Sequence, residues 1–423
     1  MLDKTLYLLR YSALNGIWQF VSRILIAIGG PRLAAYLSYI SIDWGDLNQK
    51  NRTILCLFRE SFIKDVSELR KRTGFNYPMV MAGFTKFQSY WTPEEMQIQT
   101  LYQNHLDERA LEKSRIYANT LIKLVNKKSK VSGILSGNFD YWQDNGFKQH
   151  CSDNNIPFLV LVKETPSAPR WIRRDFEWYK DSKYHFTGAA MAVAGKANKD
   201  YILKAGSVAL DEQIFITGLP RYDAWLDIHT DISYQNRKYI TLLTFSQGYD
   251  ADNTFIQVLS LFVALAEKLS NEQFLIKCKD AEDFNYVRTL IDVQDVLANL
   301  TIDYQVDLFD ILPNSKVTIG YNSLSLFEAA IAKTQMIIPA WGECRYRGDG
   351  AMCSLDNKDV TELIDFAFTP NEFSRKIERS AQNLHLPDDE RVLRFINMNN
   401  YLYFPTSSTC SDEFVKFVNK FID

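Results

Sequence analysis

The sequence predicts an α/β protein in which two successive domains each carry a parallel β-sheet covered by helices. Three observations predict this architecture. A chain of 423 residues is too long for one ordinary hydrophobic core. Short apolar segments alternate with helix-like segments, which is typical of parallel sheets with helices on both faces. The alternation forms two sets of comparable size, joined near residues 217–235.

The first set defines an N-terminal domain over residues 46–216. Short apolar runs predict its strands, and longer segments with leucine or isoleucine near helical spacing predict its helices. The predicted strands are Thr53–Phe58, Tyr77–Ala82, Val131–Leu135 and Pro157–Val162, and the predicted helices are Ser61–Thr73, Pro93–Lys130 and Tyr141–Asn154.

The second set defines a C-terminal domain over residues 217–400, followed by a helical tail over residues 401–423. Ligands of open parallel sheets bind beyond the carboxyl ends of the strands, so functional residues are expected in the loops that follow them. The predicted strands are Tyr239–Phe245, Gln273–Lys277, Lys316–Gly320 and Gln335–Pro339, and the predicted helices include Thr254–Leu269, Asp283–Leu290, Pro370–Ala381 and Glu413–Phe421.

Composition excludes several classes of function. The net charge is −3 and the isoelectric point about 6.0, so the chain as a whole does not attract nucleic acid. Six cysteines lack C-x-x-C spacing and several lie in apolar runs, which favours buried thiols in a reducing, cytoplasmic compartment over disulfides or zinc. The five histidines are dispersed. We therefore expect neither a metal nor a cofactor.

Residues 1–45 are predicted to form an N-terminal helical segment rich in Leu, Ile, Trp and Phe. Arginines interrupt the segment at positions 10, 23 and 32, and its longest clean apolar run, Ile24–Ile28, is far too short to span a bilayer. Two interpretations stay open. The segment is either an amphipathic helix on the inner leaflet of a membrane or a helix packed on the N-terminal domain.

The stretch from Asp310 to Pro339 carries the strongest functional signal. A tight turn of Tyr321, Asn322 and Ser323 joins a predicted buried strand to a helix start, where free N–H groups and the helix dipole favour a phosphate. Glu328 follows in the same helix, where it can accept hydrogen bonds from a ribose. Ser and Asn are also the residues preferred at an ordinary N-cap, and the two roles use the same geometry.

Two further groups of charged residues follow predicted strands of the C-terminal domain. Lys277 and Lys279 would neutralise a leaving phosphate, or one of them is simply exposed at a strand end. Asp250 and Asp252 have the spacing of a cation site, although capping of the next helix is the favoured interpretation.

Four segments together resemble GT-B glycosyltransferases of bacterial capsule, teichoic-acid and lipopolysaccharide synthesis. They are Thr217–Asp223, Leu242–Gln247, Ile276–Lys279, and Ile319–Ser323 with Phe327-Glu328. The resemblance spans residues 215–345 and implies two Rossmann-like domains facing a central cleft. It also implies a nucleotide-sugar donor in the C-terminal domain and a saccharide or glycolipid acceptor in the N-terminal domain. It adds Ser246 and Arg221 to the donor-binding residues. Arg221 has a second interpretation, in which it forms a salt bridge at the hinge between the domains.

The chain departs from the glycerophosphate transferases of that group at two places. Gly320 and Asn322 replace aspartate and serine, and Cys278-Lys279-Asp280 lacks the usual histidine and proline. The segment Gly137–Trp142, with Val162–Glu164, is similar instead to capsule transferases, including some that use CMP-Kdo. The rival functions are transfer from a CDP-alditol, epimerisation of a nucleotide sugar, and a catalytically silent assembly partner.

A transferase needs a base, or a nucleophile in a retaining mechanism, and three loops after predicted N-terminal strands offer a carboxylate. Glu164 is the first choice because it follows an apolar strand and a lysine, and Glu60 and Asp140 come next. Each of them is otherwise a local cap or ion-pair partner. A basic patch at residues 170–174 either clamps an anionic acceptor or is a surface loop.

Overall fold

The computed structural model describes most of the chain. The described residues are 17–59, 62–72, 74–81, 84–94, 97, 107–163, 177, 179–181, 183–206, 208–226, 236–245, 251–291, 297–321, 323, 325–345, 364–382 and 409–422. They form two parallel β-sheets flanked by helices, and the predicted α/β class with two sheets is confirmed.

The N-terminal sheet has seven strands in the order β2-β1-β4-β5-β6-β7, with β3 also paired to β1, and every pairing is parallel. The strand order changes direction between β1 and β4, which opens a crevice at the carboxyl ends of these two strands. The strands are Arg52–Leu57 (β1), Phe75–Asn76 (β2), Met79–Val80 (β3), Val131–Ser136 (β4), Phe158–Leu161 (β5), Ala190–Val193 (β6) and Ile214–Ile216 (β7).

Six helices with defined bounds accompany this sheet in the described part of the chain. Its strands are buried almost throughout because helices cover both faces. The helices are Ile17–Ile40 (α1), Phe62–Leu69 (α2), Phe84–Ser89 (α3), Glu108–Asn126 (α4), Asn145–Asn154 (α5) and Lys196–Lys204 (α6).

The C-terminal sheet has six parallel strands in the order β10-β9-β8-β11-β12-β13. Its strand order reverses between β8 and β11, which places a second crevice beyond the carboxyl ends of these strands. The strands are Tyr239–Leu243 (β8), Gln273–Lys277 (β9), Leu300–Asp303 (β10), Ser315–Ile319 (β11), Gln335–Pro339 (β12) and Asp365–Ala367 (β13).

The helices from the domain junction onward number seven among the described residues. They are Asp223–Leu226 (α7), Asp252–Lys268 (α8), Ala281–Leu290 (α9), Leu308–Ile311 (α10), Ser325–Ile331 (α11), Pro370–Ala381 (α12) and Cys410–Asn419 (α13). The predicted strands Gln273–Lys277 and Gln335–Pro339 match β9 and β12 residue for residue. By contrast, β6, β7, β10 and β13 were not predicted.

A buried ion pair fixes the junction between the domains. Arg221 lies in a 3-10 turn, Pro220–Tyr222, and its backbone N–H donates to Asp65 Oδ1 of α2 at 3.0 Å. Its Nε donates to both carboxylate oxygens, at 2.9 and 3.0 Å, and its Nη2 also donates to Oδ2. The Asp65 side chain is fully buried and that of Arg221 is 9% exposed. The Arg221 guanidinium is therefore engaged with α2 of the N-terminal domain.

The tail helix α13 returns to the N-terminal domain. Asp223 accepts hydrogen bonds from the N–H groups of Cys410 and Ser411, at 2.6 and 3.0 Å, and so caps the start of α13. At the other end, Arg52 of β1 donates to the Ile422 carbonyl at 2.8 Å. The ring of Phe215 in β7 packs on the Phe417 ring at 5.2 Å between centroids. The tail is thus bound to the junction and to the N-terminal sheet.

Helix α1 packs on the N-terminal domain through one side only. Ala34, Ala35 and Ser38 are completely buried, and the Ser38 hydroxyl lies 2.6 Å from the Tyr117 hydroxyl of α4. The helix kinks at Gly30, whose φ is +60°, immediately before Pro31. None of the helices in the described part of the chain combines the length and the apolarity needed to cross a bilayer.

Candidate functional site

The crevice between β8 and β11 contains the predicted phosphate turn. The Tyr321 side chain lies in the core, 5% exposed, with its ring 5.3 Å from the Phe245 ring. Ser323 Oγ accepts a hydrogen bond from the Ser325 N–H at 3.2 Å, so it caps the short helix α11. The predicted donor-binding residues Asn322 and Ser246 lie outside the described residues.

The two predicted lysines play different parts at the end of β9. Lys277 Nζ donates to the carbonyls of Cys278 and Tyr304, at 2.6 and 3.0 Å, and so ties β9 to the loop after β10. Burial lowers the pKa of Lys277, against the attraction of nearby anionic groups that include Asp303. Lys279 is exposed, and its ammonium has no acceptor among the described residues. The Lys277 ammonium is therefore engaged by backbone carbonyls, whereas Lys279 is exposed.

Asp283, which the sequence analysis missed, organises the loops after β8 and β9. Its Oδ2 accepts a hydrogen bond from the Lys279 N–H at 2.9 Å and another from the Thr244 hydroxyl. Asp280 caps α9 by accepting from the N–H of Glu282 at 3.0 Å and of Asp283 at 2.9 Å. The Asp283 carboxylate thus holds the loops after β8 and β9 together at the carboxyl edge of the sheet. No sequence signal distinguished it from an ordinary first-turn acid.

The loop after β12 closes on the start of α8. Glu343 accepts from Asn253 Nδ2 at 2.7 Å and from the Thr254 N–H at 3.1 Å, and its own N–H donates to Thr254 Oγ1 at 3.0 Å. Gly342 has a φ of +55°, and an added Cβ would lie 2.7 Å from Thr254 Oγ1, so only glycine fits there without strain.

Asp252, the second acid of the D-x-D triplet, is the first residue of α8, and Asp250 lies outside the described residues. Among the residues that the structure describes, no three His, Cys, Asp or Glu side chains are grouped as metal ligands. The described part of the triplet is therefore placed at a helix start rather than in a cluster of acids.

Glu328 of α11 is the most unusual ionisable group of this region. Burial raises the pKa of its carboxyl to about 7, against the attraction of Lys64 and Arg221 and with the repulsion of Asp307 adding to the rise. Lys64 belongs to α2, in the first turn after the loop that follows β1. No described hydrogen-bond donor contacts the Glu328 carboxylate. A half-buried acid therefore lies where the C-terminal crevice approaches the N-terminal domain.

Of the three predicted catalytic carboxylates, only Asp140 lies among the described residues. It follows β4, is 7% exposed, and accepts a hydrogen bond from the Tyr179 hydroxyl at 2.9 Å. The Phe139 carbonyl beside it accepts from Lys148 Nζ at 2.8 Å and from the Tyr184 hydroxyl at 2.6 Å. Glu60, Glu164 and the basic patch at 170–174 lie outside the described residues.

A second carboxylate, which the sequence analysis missed, lies at the same crevice. Asp144 is completely buried, and it accepts from Ser136 Oγ at 2.5 Å and from Arg59 Nη2 at 3.2 Å. Burial raises the pKa of Asp144, while Arg59 and Lys148 oppose the rise. The Arg59 guanidinium also lies 4.0 Å from the Tyr141 ring centroid. Arginine and acid together fix the loops after β1 and β4.

Comparison with solved structures finds similar folds in a glycosyltransferase, in a UDP complex and in a UDP-GlcNAc 2-epimerase. A glycosyltransferase from Rickettsia africae ESF-5 superposes with a TM-score of 0.53 at 11% identity, over 88% of this chain and 99% of its own. S. aureus MnaA in complex with UDP gives the same score and identity over 88% and 96% of the two chains. The UDP-GlcNAc 2-epimerase of Neisseria meningitidis bound to UDP-GlcNAc also gives 0.53 at 11%, over 87% and 100%.

This chain has the GT-B fold. The likeness covers nearly the whole of each solved chain, and it shows the architecture that the sequence predicted, with two parallel-sheet domains. Comparison with protein-family models and with curated protein sequences yields no match.

Proposed function

We propose that the protein is a glycosyltransferase that moves a sugar from a nucleotide-activated donor to a bacterial surface polysaccharide or glycolipid. The observation that carries this proposal is Glu328, a half-buried carboxyl with a pKa of about 7 whose cationic neighbours come from α2 and from the domain junction. A carboxylate that has no hydrogen-bond donor among the described residues, next to a crevice at a strand-order reversal, suits the hydroxyl groups of a ribose.

In the proposed donor site each polar group has one task. Glu328 accepts hydrogen bonds from the ribose, and the exposed ammonium of Lys279 neutralises the phosphate. The turn before α11, with Asn322 and Ser323, adds backbone N–H groups, and Ser246 belongs to the same proposed site. Lys277 and Arg221 support it indirectly because their charged groups already bind protein oxygens.

The proposed acceptor site is the crevice between β1 and β4. A carboxylate, either Asp140 or one of the sequence candidates Glu60 and Glu164, removes the proton of the acceptor hydroxyl. The acceptor oxygen then bonds to the anomeric carbon while the bond from that carbon to the donor phosphate breaks. The leaving phosphate takes the electron pair, its charge is met by Lys279, and no metal is assigned a step. We place the reaction in the cytoplasm, at the inner face of the membrane.

Epimerisation of a nucleotide sugar is the second candidate, because an epimerase shares the fold at the same TM-score as a glycosyltransferase. An epimerase converts its nucleotide sugar without any acceptor, whereas a transferase requires one. A CDP-alditol transferase would transfer one phosphate together with the alditol and release CMP. A glycosyltransferase would instead release its nucleotide with all the phosphates of the donor. A silent assembly partner would turn over none of these compounds.

Thermal-shift measurements with UDP, UDP-GlcNAc, CDP, CDP-glycerol, CMP, CMP-Kdo and GDP test the proposal. A ligand at about 100 times its Kd stabilises a protein by about 2.7 kcal/mol, so the matching nucleotide should raise the melting temperature. Glu328→Gln should lose most of that rise. Glu378→Gln is the matched control, because Glu378 forms an exposed ion pair with Lys268. If no compound raises the melting temperature, the proposed donor site is wrong.

A further inference from the structure

The exposed apolar side chains of the protein are concentrated on α1. In the described part of the chain, nine large apolar side chains are strongly exposed, and five of them belong to this helix. Ile28 and Ile40, at 83% and 74%, are the most exposed of the nine. Single exposed apolar residues are normal, but a group of them on one surface marks an interaction site. The five are Ile24, Leu25, Ile28, Tyr36 and Ile40.

Their spacing places an exposed pair on one side of each half of the kinked helix. Ile24 and Ile28 are four residues apart before the kink, and Tyr36 and Ile40 are four residues apart after it. Residues at that spacing lie one above the other on a helix surface. The opposite side is occupied, because Ser38 is buried against α4. The exposed side of α1 is therefore not needed for packing on the N-terminal domain.

The charges on α1 and at the adjoining end of α4 are all positive, while Asp43 and the exposed Asp46 lie in the segment just after α1. Over its 24 residues α1 carries two exposed arginines, Arg23 and Arg32, and no acidic residue. Just after α1, the Trp44 ring lies 4.1 Å from Lys128 Nζ, which brings the end of α4 alongside. Four exposed lysines lie there, Lys123, Lys127, Lys128 and Lys130. The acids of α4 are at its other end, Glu108 in the first turn and Glu112 four residues later.

We infer that α1 and the lysine-rich end of α4 form a docking surface for an anionic lipid bilayer. Apolar side chains would enter the boundary between headgroups and acyl chains, and six cationic side chains would attract the phosphates. A second copy of the chain is a poor occupant, since a symmetric contact would set like charges against each other. The rest of the chain, with its net charge of −3, would not itself draw the protein to such a surface.

Short contacts connect this docking surface to the proposed acceptor site. The Ser22 hydroxyl of α1 lies 3.4 Å from the Tyr90 hydroxyl, just after α3. Within α3, Gln88 Nε2 donates to the Gln143 carbonyl at 2.9 Å, and Gln143 Oε1 accepts from Arg59 at 3.4 Å. Docking through α1 would thus hold the crevice between β1 and β4 close to the membrane. Resting on the proposed function, this makes the acceptor a lipid-linked saccharide.

Vesicle flotation tests the docking surface with the full chain. The protein should float with vesicles of phosphatidylcholine mixed with phosphatidylglycerol. A much smaller fraction of it should float with vesicles of pure phosphatidylcholine. Ile28→Glu with Ile40→Glu should weaken binding by at least about tenfold, because both apolar groups are lost to the bilayer. Leu210→Glu and Phe368→Glu are matched controls, since these side chains are exposed elsewhere at 61% and 52%.

Three results would overturn the inference: no binding to either kind of vesicle, equal binding to both, or a wild-type dimer that Ile28→Glu dissociates in light scattering. An unchanged melting temperature shows that the paired variant is folded, as expected for exposed positions. Its thermal shift with nucleotide should equal that of wild type. Failure of the wild type to bind any nucleotide, with vesicle binding intact, would sink the proposed function and leave the docking surface standing.

Discussion

Replacing Asp65 with asparagine should strongly destabilise the contact between the domains. Asp65 is fully buried, and it accepts from the backbone N–H and the guanidinium of Arg221. Asparagine keeps the shape but removes the charge, which leaves a guanidinium that is 9% exposed without its counter-ion. Breaking one side of a buried ion pair costs about 3–5 kcal/mol. We expect a loss near the upper part of this range, because the backbone contact is weakened as well.

Urea denaturation, followed by circular dichroism, measures this loss as the change in the free energy of unfolding. Asp65→Asn, Arg221→Met and the double variant form a cycle that isolates the interaction between the two residues. The double variant should recover part of the loss, since it leaves no unpaired buried charge. Glu378→Gln, which breaks the exposed pair with Lys268, should cost less than about 1 kcal/mol. If Asp65→Asn costs no more than this control, the ion pair does not fix the junction.

Three further predictions concern packing, pH and charge. Gly146→Ala should lower the free energy of unfolding, measured by urea titration, by about 1–3 kcal/mol. The new Cβ would lie 2.4 Å from the Ser114 carbonyl oxygen and would push α5 away from α4. An unchanged urea midpoint would contradict that contact. Burial raises the pKa of Glu328 to about 7 in the folded protein, above its ordinary value of 4.5, so the stability that the protonated carboxyl contributes is fully present below pH 4.5 and is lost as pH rises through 7. Melting curves should show wild type losing about 2 kcal/mol relative to Glu328→Gln between pH 5 and pH 8, and parallel pH profiles would refute the shift. Lys279→Ala should weaken nucleotide binding by on the order of tenfold in calorimetry without changing the melting temperature, whereas Lys277→Ala should lower the melting temperature because its ammonium ties two loops together.

Local patterns in the sequence predicted the sheets well where a strand is apolar and bounded by polar turns. β9 and β12 were predicted to the residue, and β4 and β8 to within two residues at one end. Short strands such as Ile214–Ile216 were not predicted, because three residues carry too little periodic signal. The tail helix begins three residues before the predicted Glu413, since Thr409 and the distant Asp223 both cap its first turn.

The candidate site was less accessible to sequence reasoning, because its geometry depends on pairs that are far apart in the chain. Arg221 pairs with an acid 156 residues before it, and Arg59 with one 85 residues after it. No periodicity or motif in the sequence indicates which acid pairs with either arginine. The same limit applies to Lys277 and Lys279, which look equivalent in sequence. Only the loop after β10 shows that the first is engaged by backbone carbonyls.

We expect the crevice at the β8–β11 reversal to hold the phosphates and ribose of a nucleotide. Hydrogen exchange with mass spectrometry, in the presence and absence of the nucleotide that gives the largest thermal shift, tests it most directly. Bound nucleotide should slow exchange in peptides that cover residues 277–283 and 315–331. Protection confined to the N-terminal sheet, or no protection at a saturating concentration, would contradict it.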